Sequence, residues 1–144
     1  MELPQPIYDE ITTLSDEGNS LSDDGSFDRA ISKWTAALDL VPEPKSNWEA
    51  STWLYASIGD ARYQQASFDL ARSAFLDAMN CPGAETNAFI QYRLGQCEWK
   101  LGNEKNAIDR LLRAYMLDGE NIFEGEPEGH TFLSLLRQRR LTKN

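Results

Sequence analysis

The chain has 144 residues, of which 41% are hydrophobic, and a formal net charge of −9 at pH 7. This length and apolar content predict a single domain over residues 1–144 and exclude a disordered chain. The negative charge argues against nucleic acid and anionic membranes as partners, and no apolar run is long enough to predict a membrane span.

The N-terminal part of the chain predicts two helices joined by a turn. Apolar residues recur at helical spacing from about residue 7, and Gly25 ends that stretch. The second helix is predicted over 26–41, where Pro42 stops it.

Two further helix pairs follow. Ser46 and Glu49 stand at the spacing of a capping box, which predicts a helix from there to about Gln65. Its partner is predicted from Ser67 to about Asn80. The third pair is predicted over about 85–101 and 103–117, with a glycine at the turn.

The C-terminal segment over about 127–141 predicts one more helix. It combines apolar residues such as Phe132 and Leu136 with a basic end that suits a helix C-terminus. Arrays of helix pairs need a terminal helix that covers the last apolar face. This segment is therefore predicted to be a cap.

One pattern of small and large residues occurs three times. Each copy has a glycine, an alanine twelve residues later, and a large apolar residue four residues after that alanine. A small residue facing a large one lets two helices approach closely. The three copies are Gly18-Ala30-Trp34, Gly59-Ala71-Phe75 and Gly95-Ala107-Leu111.

This pattern resembles the tetratricopeptide repeat family, whose unit carries W-x2-L-G-x2-Y followed by A-x3-F and P. The resemblance spans roughly residues 11–121, although the Gly-to-Gly spacings are 41 and 36 instead of about 34 and no copy has the full motif. It implies an all-α fold, a right-handed superhelix of three antiparallel helix pairs with a C-terminal capping helix. The implied units are about 7–44, 46–83 and 85–119, followed by the cap.

Catalytic and metal-binding patterns are missing from the sequence. The only histidine is His130, with no supported nucleophile beside it, and no nucleotide or metal motif occurs. Cys81 and Cys97 are too few for a disulfide framework and suit a reducing cytoplasm. We therefore expect a cytoplasmic protein that is not an enzyme and binds no cofactor or metal.

In the family, the first helix of each pair lines a concave groove, so the resemblance implies a binding face on those helices. Aromatic residues in excess of what the core needs are typical of binding hot spots. Two alternatives are that these residues pack within the array or that the C-terminal cap folds onto them. The candidate protein-binding residues are Trp53, Asp60, Tyr63, Phe89, Tyr92, Gln96 and Trp99.

Co-chaperone members of the family hold a peptide C-terminal carboxylate with a clamp of Lys, Asn and Arg. Here Asn19 and Arg93 stand at matching places, but Ser15, Ser57 and Phe89 occupy the other three. The missing lysines argue against this clamp.

A compact array with its own cap also resembles the small bacterial repeat proteins that act as immunity proteins, so the leading functional interpretation is an immunity protein that binds and neutralises a basic toxin domain. Eight acids and no Lys or Arg lie within residues 1–28, and such a surface steers a basic partner toward it. The alternative is an adaptor or assembly chaperone that holds a peptide or helix of a partner complex. A hydrolase or transferase with carboxylate chemistry is a third and weaker interpretation.

Overall fold

The computed structural model describes residues 2–142. Within that range the chain is helical and has no strand, which confirms the all-α prediction. A short 3-10 turn, Lys45–Asn47, precedes α3. The helices are α1 (Gln5–Asp23), α2 (Phe27–Leu40), α3 (Glu49–Gln64), α4 (Phe68–Met79), α5 (Ala88–Lys100), α6 (Glu104–Asp118), α7 (Asn121–Glu124) and α8 (Gly129–Gln138).

The helices group into two compact units, Met1–Gly83 and Ala84–Asn144. The first unit contains the antiparallel pairs α1–α2 and α3–α4, and the second contains the pair α5–α6 followed by α7 and α8. Three pairs and a C-terminal helix were predicted and are present. The single domain over residues 1–144 stays a prediction.

The core of the first unit forms where α2 packs against both α1 and α3. Ile11 of α1 and Leu54 of α3 are fully buried, and Trp34 of α2 is nearly so. Within α2 the buried residues Ala30, Trp34, Ala37 and Leu38 recur at helical spacing, so this helix buries one stripe.

Each helix pair is closed by a glycine in its first helix that faces a large residue in its second. A Cβ placed on Gly59 would lie 2.9 Å from ring atoms of Phe75, and one on Gly95 would lie 2.8 Å from Cγ of Leu111. Gly18 has the same relation to Trp34. The repeated small and large residues of the sequence are therefore direct contacts.

The turn within each pair is also repeated. Gly25, Ala66 and Gly102 have φ values of 82°, 59° and 84° and stand in equivalent places. In each turn the following residue donates its N–H to a carbonyl five residues earlier, at 2.8 to 2.9 Å. This is the Schellman arrangement, in which glycine is favoured because it has no Cβ. The middle turn forms the same bonds with an alanine.

The predicted capping box at the start of α3 is wrong. The helix begins at Glu49, and the residue before it, Trp48, makes no side-chain cap. The reason lies in Lys45, whose Nζ donates hydrogen bonds to two carbonyl oxygens near the end of α2, at 2.8 and 2.9 Å. These bonds accompany a 3-10 turn that includes Ser46, so Ser46 is not the N-cap.

In the second unit, α7 and α8 pack against the α5–α6 pair. Phe123 of α7 and Phe132 and Leu136 of α8 are buried together with Tyr92 and Leu111. The predicted cap is therefore present, and its helix spans 129–138.

Candidate protein-binding face

Helix α3 carries three of the predicted binding residues, Trp53, Asp60 and Tyr63. They lie on one side of the helix, away from the stripe that contains the buried residues Leu54 and Ala61. Trp53 is 36% exposed to solvent, and Asp60 and Tyr63 are half-buried. Folding of the first unit thus leaves a large indole ring accessible to solvent.

Tyr63 is only partly available on this side. Its ring makes an edge-to-face contact with Phe68, with ring centroids 5.3 Å apart, and this contact joins α3 to the start of α4. The ring therefore contributes to the pair as well as to the surface. Asp60 accepts a weak hydrogen bond from Gln64 Nε2 at 3.4 Å.

A cavity of about 470 Å³ lies beside Trp53, within the first unit. Its lining includes the aromatic residues Tyr8, Trp48 and Trp53 and the carboxylates of Glu2 and Glu49. Tyr8 is 49% exposed, so two of the three rings reach solvent.

Tyr8 and Trp48 were not predicted from the sequence as site residues. Tyr8 follows Ile7 and lies off the apolar stripe that Ile7 and Ile11 define. An aromatic residue outside that stripe is the one sequence signal that could have predicted Tyr8 as a site residue. Trp48 precedes α3, where helical periodicity gives no information. Its indole Nε1–H is buried and finds no hydrogen-bond acceptor among residues 2–142.

The structure corrects the expected exposure of Tyr92 and Gln96 on α5. Tyr92 is fully buried, and the rings of Phe123 and Phe132 meet it edge-to-face with centroids 5.2 and 6.3 Å away. Gln96 is 1% exposed and donates a hydrogen bond from Nε2 to the Tyr92 hydroxyl at 3.3 Å. These side chains form the core beneath α7 and α8 and cannot contact a partner.

Burial also changes the acidity of Tyr92. Loss of solvent raises the pKa of the phenol well above its ordinary value of 10.0, and the negative charge of Glu126 raises it further. The hydroxyl therefore remains neutral at physiological pH.

Trp99, the last predicted residue of α5, is half-buried. Its ring meets Phe132 of α8 edge-to-face at 6.4 Å. Trp99 thus supports the capping helix, as the alternative interpretation in the sequence analysis expected for this part of the chain.

Phe89 and Arg93 occupy the start of α5. The guanidinium of Arg93 lies 5.0 Å from the centroid of the half-buried Phe89 ring. Arg93 Nη1 donates to Glu126 Oε2 at 2.8 Å and to Gln96 Oε1 at 2.7 Å. Its side chain is only 7% exposed.

These contacts bear on the carboxylate clamp. Arg93 is engaged by an acid of its own unit, and Ser15, at another clamp position, is buried with 6% exposure. A peptide carboxylate would have to compete with Glu126 for the same guanidinium. The side chains present therefore do not form the carboxylate clamp of the co-chaperone members.

Residues 2–142 contain no group of three or more His, Cys, Asp or Glu side chains arranged to hold a metal ion. None of their helices is both long and apolar enough to cross a membrane.

Comparison with solved structures identifies the fold. The TPR domain of Arabidopsis OM64 superposes with a TM-score of 0.72 at 17% identity, over 92% of this chain and 98% of that domain. The second TPR domain of human RPAP3, in complex with the HSP70 peptide SGPTIEEVD, gives 0.70 at 19% identity, over 91% of this chain and 98% of that chain. The chain thus has the fold of tetratricopeptide repeat domains.

A third structure shares this fold. The first TPR of Spaghetti (RPAP3), bound to the HSP90 peptide SRMEEVD, gives a TM-score of 0.71 at 19% identity, over 93% of this chain and 95% of that chain. No family model matches the sequence. No curated protein matches it either.

Proposed function

We propose that the protein is a non-catalytic binding module that holds a peptide or helical segment of a protein partner. The observation that carries the proposal is Trp53, an indole 36% exposed on α3 beside Tyr8, which is 49% exposed. Large aromatic rings that folding leaves exposed are typical anchors of protein interfaces. Two structures of the same fold hold chaperone peptides, which supports a peptide-binding role.

The proposed contact surface comprises Trp53, Asp60 and Tyr63 on α3 together with Tyr8 on α1. In the second unit, considered by itself, the half-buried rings of Phe89 and Trp99 on α5 are proposed as separate contacts. Tyr92 and Gln96 are not proposed, since they are buried beneath α7 and α8.

The partner segment is proposed to be basic. The peptides in the two neighbouring structures end in EEVD and are acidic. In this chain Arg93, which stands at a place that matches the carboxylate clamp, is paired with Glu126. Residues 1–28 hold eight acids without a basic residue. Charge complementarity therefore favours a ligand of the opposite sign.

Two biological roles fit a basic partner. An adaptor or assembly chaperone would hold a basic segment of a larger complex, and this role is the closer to the peptide-bound structures of the same fold. An immunity protein would instead cover a basic toxin domain, and the acidity of residues 1–28 is the observation that favours it. Coexpression separates them, because an immunity protein rescues cells from its toxin whereas an adaptor does not.

The proposal is tested by isolating the partner from the native host and measuring its affinity for variants. Trp53→Ala is expected to weaken binding by about 2 kcal/mol or more, about 30-fold, while the circular dichroism spectrum is unchanged. Leu70→Ala is the matched control, because Leu70 is 53% exposed on α4 and does not line the cavity. Equal affinities of wild type and Trp53→Ala would reject the proposed surface.

A further inference from the structure

The cavity beside Trp53 combines aromatic rings with carboxylates, and the described residues that line it include no cationic side chain. Tyr8, Trp48 and Trp53 supply the rings, and Glu2 and Glu49 supply the charge. Neither acid takes part in a salt bridge with the residues that the structure describes. The electron-rich faces of Trp and Tyr attract cations, and so do uncompensated carboxylates.

The N-termini of two helices also contribute to the net charge at the cavity. α1 begins at Gln5 and α3 at Glu49, so two helix N-termini lie at the cavity, each equivalent to about half a positive charge. The two glutamates carry two full negative charges. The balance at the cavity is therefore negative, and an anion is disfavoured.

The rings of the cavity also favour a cation that is carried on a side chain. Trp48 is 9% exposed and its Nε1–H is buried, so a ligand in the cavity does not reach that group. Arginine and lysine carry methylene stems that pack against apolar surface while their charged ends stay accessible. A peptide-borne cation therefore makes more contact with the lining than a free inorganic cation does.

We propose that this cavity binds the side chain of an arginine or lysine presented by the protein partner. The inference rests on the proposed protein-binding function and specifies the chemistry of its anchor. The cation lies against Trp53 and Tyr8 with Glu2 and Glu49 at its side. A volume of about 470 Å³ is within the range of protein ligand pockets and holds one long side chain.

The test is a titration followed through the indole N–H signals in a nitrogen–proton correlation spectrum. Acetyl-arginine methylamide is the cationic probe, and acetyl-citrulline methylamide is its neutral isostere. Arginine, up to about 50 mM, is expected to shift the signals of Trp48 and Trp53 in a saturable manner, and citrulline is not. Equal shifts with both probes, or no shift with arginine, would overturn the proposal.

Single substitutions test whether arginine binds at this cavity. Trp53→Leu is expected to weaken arginine binding about two- to fivefold, the range of a cation–π contact at an accessible site. Glu49→Gln is expected to weaken it about twofold or more, and Glu10→Gln, which removes the same charge from an exposed residue of α1 outside the cavity, is expected to leave it unchanged. Equal losses in the two Glu→Gln variants would show a general charge effect and overturn the site.

The outcome of the arginine titration can be distinguished from the outcome of the partner-binding experiment that tests the proposed function. If arginine does not bind but Trp53→Ala still abolishes partner capture, the cation site is wrong and the binding face stands. If arginine binds selectively and Trp53→Ala leaves partner capture intact, the cation site stands and the proposed face is wrong.

Discussion

The close approach of α3 and α4 depends on the absence of a side chain at Gly59. The added Cβ of Gly59→Ala would lie 2.9 Å from Cδ2, Cε2 and Cζ of Phe75, a fully buried ring. Carbon atoms pack at about 3.5 to 4.0 Å, so the ring or the helix must move by about half an ångström. Overpacking of this kind destabilises by about 1–3 kcal/mol.

Helix propensity acts in the opposite direction. Alanine is favoured over glycine in a helix by about 1 kcal/mol, so the expected net loss for Gly59→Ala is about 1 kcal/mol. The free energy of unfolding is measured by urea titration with circular dichroism. Gly125→Ala is the control, because nothing lies within 4 Å of its added Cβ and its φ is −82°.

A double-mutant cycle isolates the contact. Phe75→Leu shortens the side chain that meets the added methyl, so Gly59→Ala is expected to destabilise less in that background, by about 1 kcal/mol. If Gly59→Ala lowers the free energy of unfolding neither in the wild-type chain nor in the Phe75→Leu chain, the glycine is not required for close packing.

Three other substitutions test single features. Ala66→Gly is expected to stabilise by about 0.5–1 kcal/mol in urea unfolding, because alanine is strained at φ 59°; a loss would contradict the strain. Arg93→Met is expected to cost about 1–3 kcal/mol in the same assay by leaving the half-buried Glu126 without its cation, and Arg93→Met combined with Glu126→Gln is expected to recover at least half of it. Because burial raises the pKa of Tyr92 above 10.0, the unfolded chain loses this proton first and stability falls as pH rises above about 10. Tyr92→Phe, followed by urea unfolding from about pH 9 to about pH 12, is expected to reduce that fall by about 1.4 kcal/mol per pH unit, and an unchanged slope would contradict the assignment.

The helix pairs could be predicted because their signals are local and repeated. Gly59 and Phe75 are sixteen residues apart, as are Gly95 and Leu111, and a glycine or alanine occupies each turn. The packing that these spacings require is settled within one helix pair, so periodicity and turn residues are sufficient to predict it.

The candidate site was predicted less completely because it depends on contacts that are distant along the chain. Periodicity places Tyr92 on a face of α5 that the α5–α6 pair does not use. It cannot say that Phe123 and Phe132, more than thirty residues later, cover that face. Likewise Tyr8 and Trp48 are forty residues apart and line one cavity only after α1 and α3 have both packed against α2.

The most direct test of the binding face is site-specific photo-crosslinking in the native host. A photoreactive phenylalanine analogue is placed at Trp53, at Tyr8 or, as the control, at Leu70, and covalent adducts are identified by mass spectrometry. The account predicts one shared protein adduct from the first two positions, formed through a basic segment, and none from Leu70. Adducts from Leu70 alone, or equal yields at all three positions, would contradict it.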